Sequence, residues 1–356
     1  MRIVLALLHS IEEHDQVKLL TSLGYEVFSI GSYSDLKGDG MRPDLLKEGT
    51  LYPKLIEACH AKRIEHEGEN LQTPAGVVDP IDWAKADLPD ELIEWMDVLI
   101  VHHAEHTFIP NNWTRLREAG VRVIWRTVGQ SVEHNERTMA PFRRDGLEII
   151  RYSPKEENIP GYIGKDALIR FYADPAEWQG WTGDDPLVIN ITQDLYRRDP
   201  YTNWGFWERT TLDLPRMALG PGSEEIGGPG ALTYYEMQGW LRSARCYLYT
   251  GTQPASYTLG LIEALMTGIP VVSIGPGHMD IFPYGPLLFE GGELAAQSFD
   301  TPEDATSALR LLLNDKGFAD AYSCHQRTVA IETFGIDRVA KAWRLYLGDP
   351  AKAVAA

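Results

Sequence analysis

Short apolar runs alternate with amphipathic stretches along the whole chain, the pattern of parallel sheets covered by helices. Ile3 to Leu8 reads as a first strand, Asp15 to Leu23 as a helix stopped by Gly24, and Glu26 to Ile30 as the next strand, a βαβ start. From Gly31 to about Ile93 the chain is irregular and rich in charge, with a helical piece around Leu51 to Lys62. This insertion is expected to line the mouth of the first sheet. Val98 to Val101, Val121 to Trp125 and Leu147 to Arg151 are three further predicted strands, each bounded by glycine or polar turn residues. Asp174 to Pro186 has the turn formers and polarity of an interdomain connector. The rhythm then restarts with strands at Leu187 to Ile191, around Ala218, at Cys246 to Tyr249, at Val271 to Ile274 and at Leu287 to Phe289. The tail carries two predicted helices, about Pro302 to Asn314 and Asp337 to Leu347, the second with Val339, Trp343 and Tyr346 on one face. The pattern therefore predicts an α/β protein with one domain over residues 1–173, a second over 187–334 and a terminal helical segment over 335–356, without internal repeats.

Composition agrees with two folded domains. The chain has 356 residues, and at roughly 100–200 residues per domain each half can bury its own core. The formal net charge of −18 repels phosphate backbones and anionic lipid, which disfavours broad nucleic-acid or membrane-surface binding. Cys59, Cys246 and Cys324 lie far apart and cannot all pair, so buried thiols in a reducing, cytoplasmic setting are expected. The apolar run at the start is short and has no cleavage pattern after it. No stretch approaches the ~20 apolar residues of a membrane span, so a soluble protein is expected.

The chemistry concentrates between Cys246 and Ser273. A buried strand leads into the small, hydroxyl-rich loop Thr250-Gly251-Thr252-Gln253-Pro254-Ala255, which opens a helix near Ser256 to Thr258. Such a helix start offers free N–H groups and a positive dipole end to a phosphate. Glu263, further along the same helix, is placed to accept two hydrogen bonds from a ribose diol. In the first domain, strand ends at His102 and at Arg126 to Gln130 are expected to face a cleft, because open parallel sheets bind ligands at their carboxyl ends.

The stretch Ala255-Ser256-Tyr257-Thr258-Leu259-Gly260-Leu261-Ile262-Glu263-Ala264-Leu265-Met266-Thr267-Gly268-Ile269-Pro270-Val271-Val272 resembles the donor-binding signature of glycosyltransferase family 4, E-x-F-G-L-x-x-x-E-A-M-A-x-G-x-P-V-V. Asp97 to His102 resembles the family's D-V-I-H-x-H strand end, and Phe334 to Trp343 its closing helix. The resemblance implies the GT-B architecture: two Rossmann-like domains facing across a cleft, an acceptor-side N-terminal one and a C-terminal one for the donor, with the C-terminal helix crossing back. It implies transfer of a hexosyl or pentosyl group from a nucleotide-diphosphate sugar to an acceptor hydroxyl, with retention of configuration, no metal and no cofactor beyond the donor. Glu263, Ser256, Tyr257, Thr258, Leu259, Gln193 and Thr252 are then the donor-binding candidates. His102 would face the transferred sugar, and Arg198, then Arg197, would neutralise the leaving diphosphate. His9, Ser10, Thr127 and Gln130 are acceptor-side candidates. The sequence departs from the pattern in four places: Ala255 replaces the signature's first Glu, Gly129 stands where a His is frequent, Gln193 and Arg197 or Arg198 stand near the usual diphosphate-binding Arg and Lys, and His9 and Ser10 stand where a Gly-rich loop is usual.

Other readings compete. His102, His103, Glu105 and His106 suggest a metal site, but alternating strand geometry sends the first two to opposite faces, and the helical His-Glu-x-x-His order is absent. Trp178, Trp181, Tyr196, Tyr201, Trp204 and Trp207 fit a stacking platform as well as core packing. Gly227-Gly228-Pro229-Gly230 lacks the Lys-Ser or Lys-Thr of a P-loop, and Gly275-Pro276-Gly277 lacks the third glycine of a dinucleotide fingerprint. The rival functions are a GT-B sugar-nucleotide epimerase or hydrolase and a non-catalytic nucleotide-sugar binding protein. The acceptor is left open between a glycan, a small molecule and a modified DNA base, and the oligomeric state is left open as well.

Overall fold

The computed structural model describes residues 1–6, 10–30, 52–66, 87–103, 107–129, 132–275 and 298–350. The first sheet contains β1 (Arg2–Ala6), β2 (Glu26–Ser29), β3 (Val98–Val101), β4 (Arg122–Arg126), β5 (Glu148–Arg151) and β6 (Ala167–Leu168). All pairs are parallel, in the order β2-β1-β3-β4-β5-β6. Around it lie α1 (Ser10–Ser22), α2 (Pro53–His66), α3 (Asp90–Trp95), α4 (Phe108–Glu118) and α5 (Glu133–Arg144). The four residues of β3 are buried on both faces, as a parallel strand between helical layers requires.

The second sheet contains β7 (Asp185–Ile191), β8 (Arg216–Leu219), β9 (Ala244–Tyr249), β10 (Val271–Ile274) and β11 (Ser298–Phe299). It is also parallel, in the order β11-β10-β9-β7-β8. Its helices are α6 (Trp204–Thr211), α7 (Tyr234–Ser243), α8 (Leu259–Thr267), α9 (Pro302–Asn314) and α10 (Lys316–Phe334). The last helix, α11 (Ile336–Leu347), returns to the first sheet: Val339, Trp343 and Leu347, four residues apart, are buried in the first-sheet core. Tyr346, expected on that face, is only partly buried there.

The chain crosses between the two sheets twice, and the crossings touch. Ala173 N donates to Phe334 O at 3.1 Å, and Ala173 bridges Gly335. The segment expected as a loose connector is packed. Trp178 is buried against Tyr234 with ring centroids 5.5 Å apart, Lys18 of α1 pairs with Glu177, and β7 begins at Asp185 inside the expected connector. α1 begins at Ser10 rather than near Asp15, and α4, α5 and the long α10 were not foreseen. The expected strand at Leu287 to Phe289 lies outside the described residues, as does most of the insertion. No helix of the described residues is long and apolar enough to cross a membrane.

Candidate functional site

In the second sheet β7 is flanked by β8 on one side and β9 on the other, so the winding reverses between β7 and β9. Open parallel sheets bind ligands beyond the strand ends at such a point. Here Gln193, Arg198, Thr252, Thr258, Leu259 and Glu263 line one cavity of about 200 Å³. Leu232, Thr233, Tyr234 and Met237 form a further wall, while Trp178 and Ile11, the latter from α1 of the first domain, complete it.

Buried polar side chains hold the loops that carry these groups. Asn190 Nδ2 donates to Leu248 O at 2.8 Å and to Thr250 Oγ1 at 3.2 Å, and Asn203 Nδ2 donates to Thr250 O at 2.9 Å. Gln253 N donates to Tyr201 O at 2.7 Å, tying the loop before α8 to the loop after β7. Arg198 N donates to Asp194 O at 2.9 Å, and Asp194 backs onto Gly222. Gly222 has a φ of +81°, and a Cβ there would lie 2.3 Å from Asp194 Oδ1, so this turn requires glycine.

Thr258 caps α8, its Oγ1 accepting from Leu261 N at 3.3 Å. The N–H groups of Leu259 and Gly260, in the first turn, have no acceptor within the helix. Glu263 lies one turn beyond Leu259 on the same face and is 7% exposed at the cavity. An anion near the helix start and a diol near Glu263 would therefore be met together. The two arginines part company: Arg197 is bound to Glu225, with Nε donating to Oε2 at 2.9 Å, whereas Arg198 lines the cavity and has no carboxylate partner among the described residues.

Several candidates stand elsewhere. Ser256 N donates to Tyr152 Oη at 2.8 Å, and Tyr257 Oη donates to Tyr152 O at 2.9 Å while accepting from Phe171 N at 3.1 Å. Both residues thus join the loop before α8 to the first domain and are not among the residues lining the cavity. His102 is fully buried, its Nδ1 3.4 Å from Ala6 O and its Nε2 3.3 Å from Glu12 Oε1, so both ring nitrogens face protein oxygens behind α1. Thr127 is fully buried as well: its hydroxyl donates to Glu156 Oε2 at 2.9 Å and accepts from Tyr152 N at 3.2 Å. The ladder between β4 and β5 runs on through Thr127, whose N–H donates to Ile150 O at 2.9 Å, and its side chain is enclosed within the domain. Ser10 opens α1, while His9, Gln130 and the stretch 104–106 lie outside the described residues.

The walls from α1 and α7 were missed by sequence reasoning, whereas Trp178 was singled out there as a stacking or packing residue. One signal was available: Thr233 and Glu236 form a capping box that fixes the start of α7 at the cavity. Gly129 and Ala255, two of the positions where the sequence departs from the pattern it resembles, are neighbours in space.

Behind the cavity, burial holds the Glu12 carboxyl proton up to about 7 despite Arg126 and His103 nearby. The folded protein therefore keeps a proton that the unfolded chain releases near 4.5, and stability falls as pH rises from about 4.5 to about 7, by on the order of 3 kcal/mol. Glu12→Gln is expected to remove this loss. Its urea midpoint should gain on the parent's between about pH 5 and pH 8, and a difference that does not change with pH contradicts the assignment.

The chain matches no protein-family model and no curated protein sequence. It is similar in structure to HepE of Anabaena, solved with UDP and glucose, at a TM-score of 0.60 and 10% identity over 98% of this chain and 99% of that one. A glycosyltransferase from Rickettsia africae superposes with a TM-score of 0.57 and 10% identity, covering 97% of each chain. TarM matches 70% of this chain at a TM-score of 0.53 and 12% identity, and there the match spans only 54% of that protein's length. Two parallel Rossmann-like sheets facing across a cleft, with the last helix crossing back, define the fold as GT-B.

Proposed function

We propose that this chain is a glycosyltransferase that moves a sugar from a nucleoside-diphosphate donor to an acceptor hydroxyl. The observation that carries the reading is the convergence on one cavity, at the reversal point of the second sheet, of Glu263, the capped start of α8 and Arg198, which has no carboxylate partner among the described residues. Glu263 accepts the two ribose hydroxyls. The N–H groups of Leu259 and Gly260 and the Arg198 guanidinium take the diphosphate, whose charge grows as the bond to the sugar breaks. UDP and glucose in HepE support a uridine diphosphate sugar as the first donor to try. The acceptor enters from the first-domain side, past Ile11. Retention of configuration and independence of a metal follow from the family resemblance.

UDP release from UDP-glucose, followed with and without candidate acceptors, tests the proposal. Arg198→Ala is expected to lower kcat roughly 100- to 1,000-fold. Its side chain is exposed, so the fold does not depend on it. Parent-like turnover by this variant, or acceptor-independent release in the parent, contradicts the reading.

A further inference from the structure

Gly129, in the loop after β4, meets Ala255, at the apex of the loop that precedes α8. A Cβ built on Gly129 would lie 2.8 Å from Ala255 Cβ and 3.6 Å from its Cα. The φ of Gly129 is not in the left-handed region, so close approach and not backbone conformation demands glycine there. Ala255 is 6% exposed, and its N–H donates to Thr252 O at 2.8 Å. The loop thus has its two ends, Thr252 and Thr258, on the donor cavity and its apex against the first domain. One residue further on, Ser256 N is bound to Tyr152 Oη, and the Tyr152 and Tyr257 rings lie 5.0 Å apart.

We propose that Gly129 and Ala255 are positioning residues: their contact sets how closely the first domain seats on the donor loop, and hence where the acceptor wall stands relative to the sugar. Two methyl carbons need about 3.5–4.0 Å, so an alanine at 129 forces the loops apart by about 1 Å. The groups that hold the nucleotide belong to the second domain and keep their places. The displacement falls on the distance between the two substrates, where about 1 Å costs up to about 100-fold in rate. This inference rests on the proposed function for its kinetic consequence, but the contact itself can be tested without any substrate.

Gly129→Ala and Gly129→Ala/Ala255→Gly are compared with the parent by hydrogen exchange at the Ser256 amide, UDP calorimetry and kcat. The single variant is expected to exchange Ser256 at least about tenfold faster and to lose roughly 10- to 100-fold in kcat, with the Kd for UDP within about threefold of the parent. The double variant, which removes the opposing methyl, is expected to recover both properties to within about threefold. Parent-like Ser256 exchange in Gly129→Ala, or a double variant as perturbed as the single one, overturns the inference whatever the activity. Exchange that behaves as expected, in a parent that releases no UDP, overturns the proposed function and leaves the contact standing.

Discussion

Arg151→Ala is expected to destabilise the first domain by about 3–5 kcal/mol, the cost of leaving a buried carboxylate without its cation. Arg151 is 1% exposed and Glu136 is fully buried, and the guanidinium spans both carboxylate oxygens at 2.5 and 2.8 Å. It also lies 3.7 Å from Glu156, donates to Gly164 O at 3.0 Å and stacks 4.5 Å from the Tyr162 ring centroid. Arg151→Lys is not a conservative replacement, because an ammonium cannot form the paired bonds or the stack. The consequence reaches the cleft. Glu156 accepts from Tyr152 N at 3.0 Å and from Thr127 Oγ1, and Tyr152 in turn holds Ser256 and Tyr257. Urea unfolding followed by near-ultraviolet circular dichroism should show an early transition in Arg151→Ala. A midpoint within error of the parent's means that the network contributes nothing net.

The legible parts of the fold are those whose burial is written in apolar runs. β3 and β9 are buried at every position, and α8 is apolar on nearly all sides because it lies between its sheet and α10. α10 itself escaped because its inner face is small or polar until Phe334 at its end: Ala319, Ser323, Gln326 and Ala330 are buried before it. Gln326 stands in for an apolar residue by donating to Ile269 O at 2.9 Å and accepting from Val271 N at 3.0 Å, which satisfies the backbone entering β10. The start of α1 lies upstream of the expected helix for a related reason: its first turn carries the charged Glu12 and Glu13, which are nevertheless only 5% and 2% exposed.

The candidate site divides along the same line. The segment from Thr258 to Glu263 was legible because its groups are close in sequence and the helix brings them onto one face. That Arg198 and not Arg197 lines the cavity turns on Glu225, after β8, which pairs with Arg197. His102 and Thr127 were expected at the cleft from their place at strand ends. Their polar atoms are instead used inside the domain, by Ala6, Glu12 and Glu156. Strand-end position gives the edge of a sheet but not the rotamer that a buried partner selects.

The central claim is that Glu263 holds the ribose of a nucleoside diphosphate, and it is tested most directly by titrating UDP into the parent and into Glu263→Ala by calorimetry. Hydrogen bonds to a charged group contribute about 1.5–3 kcal/mol net, so removing the carboxylate should weaken UDP binding roughly 10- to 100-fold. Glu263 lies in the middle of a short helix at the cavity wall, and alanine favours that helix, so the fold should survive the change. A parent that binds UDP, with a variant that binds it at least about tenfold more weakly and keeps the parent's circular dichroism, is the result expected. Equal affinity in the two proteins contradicts the account.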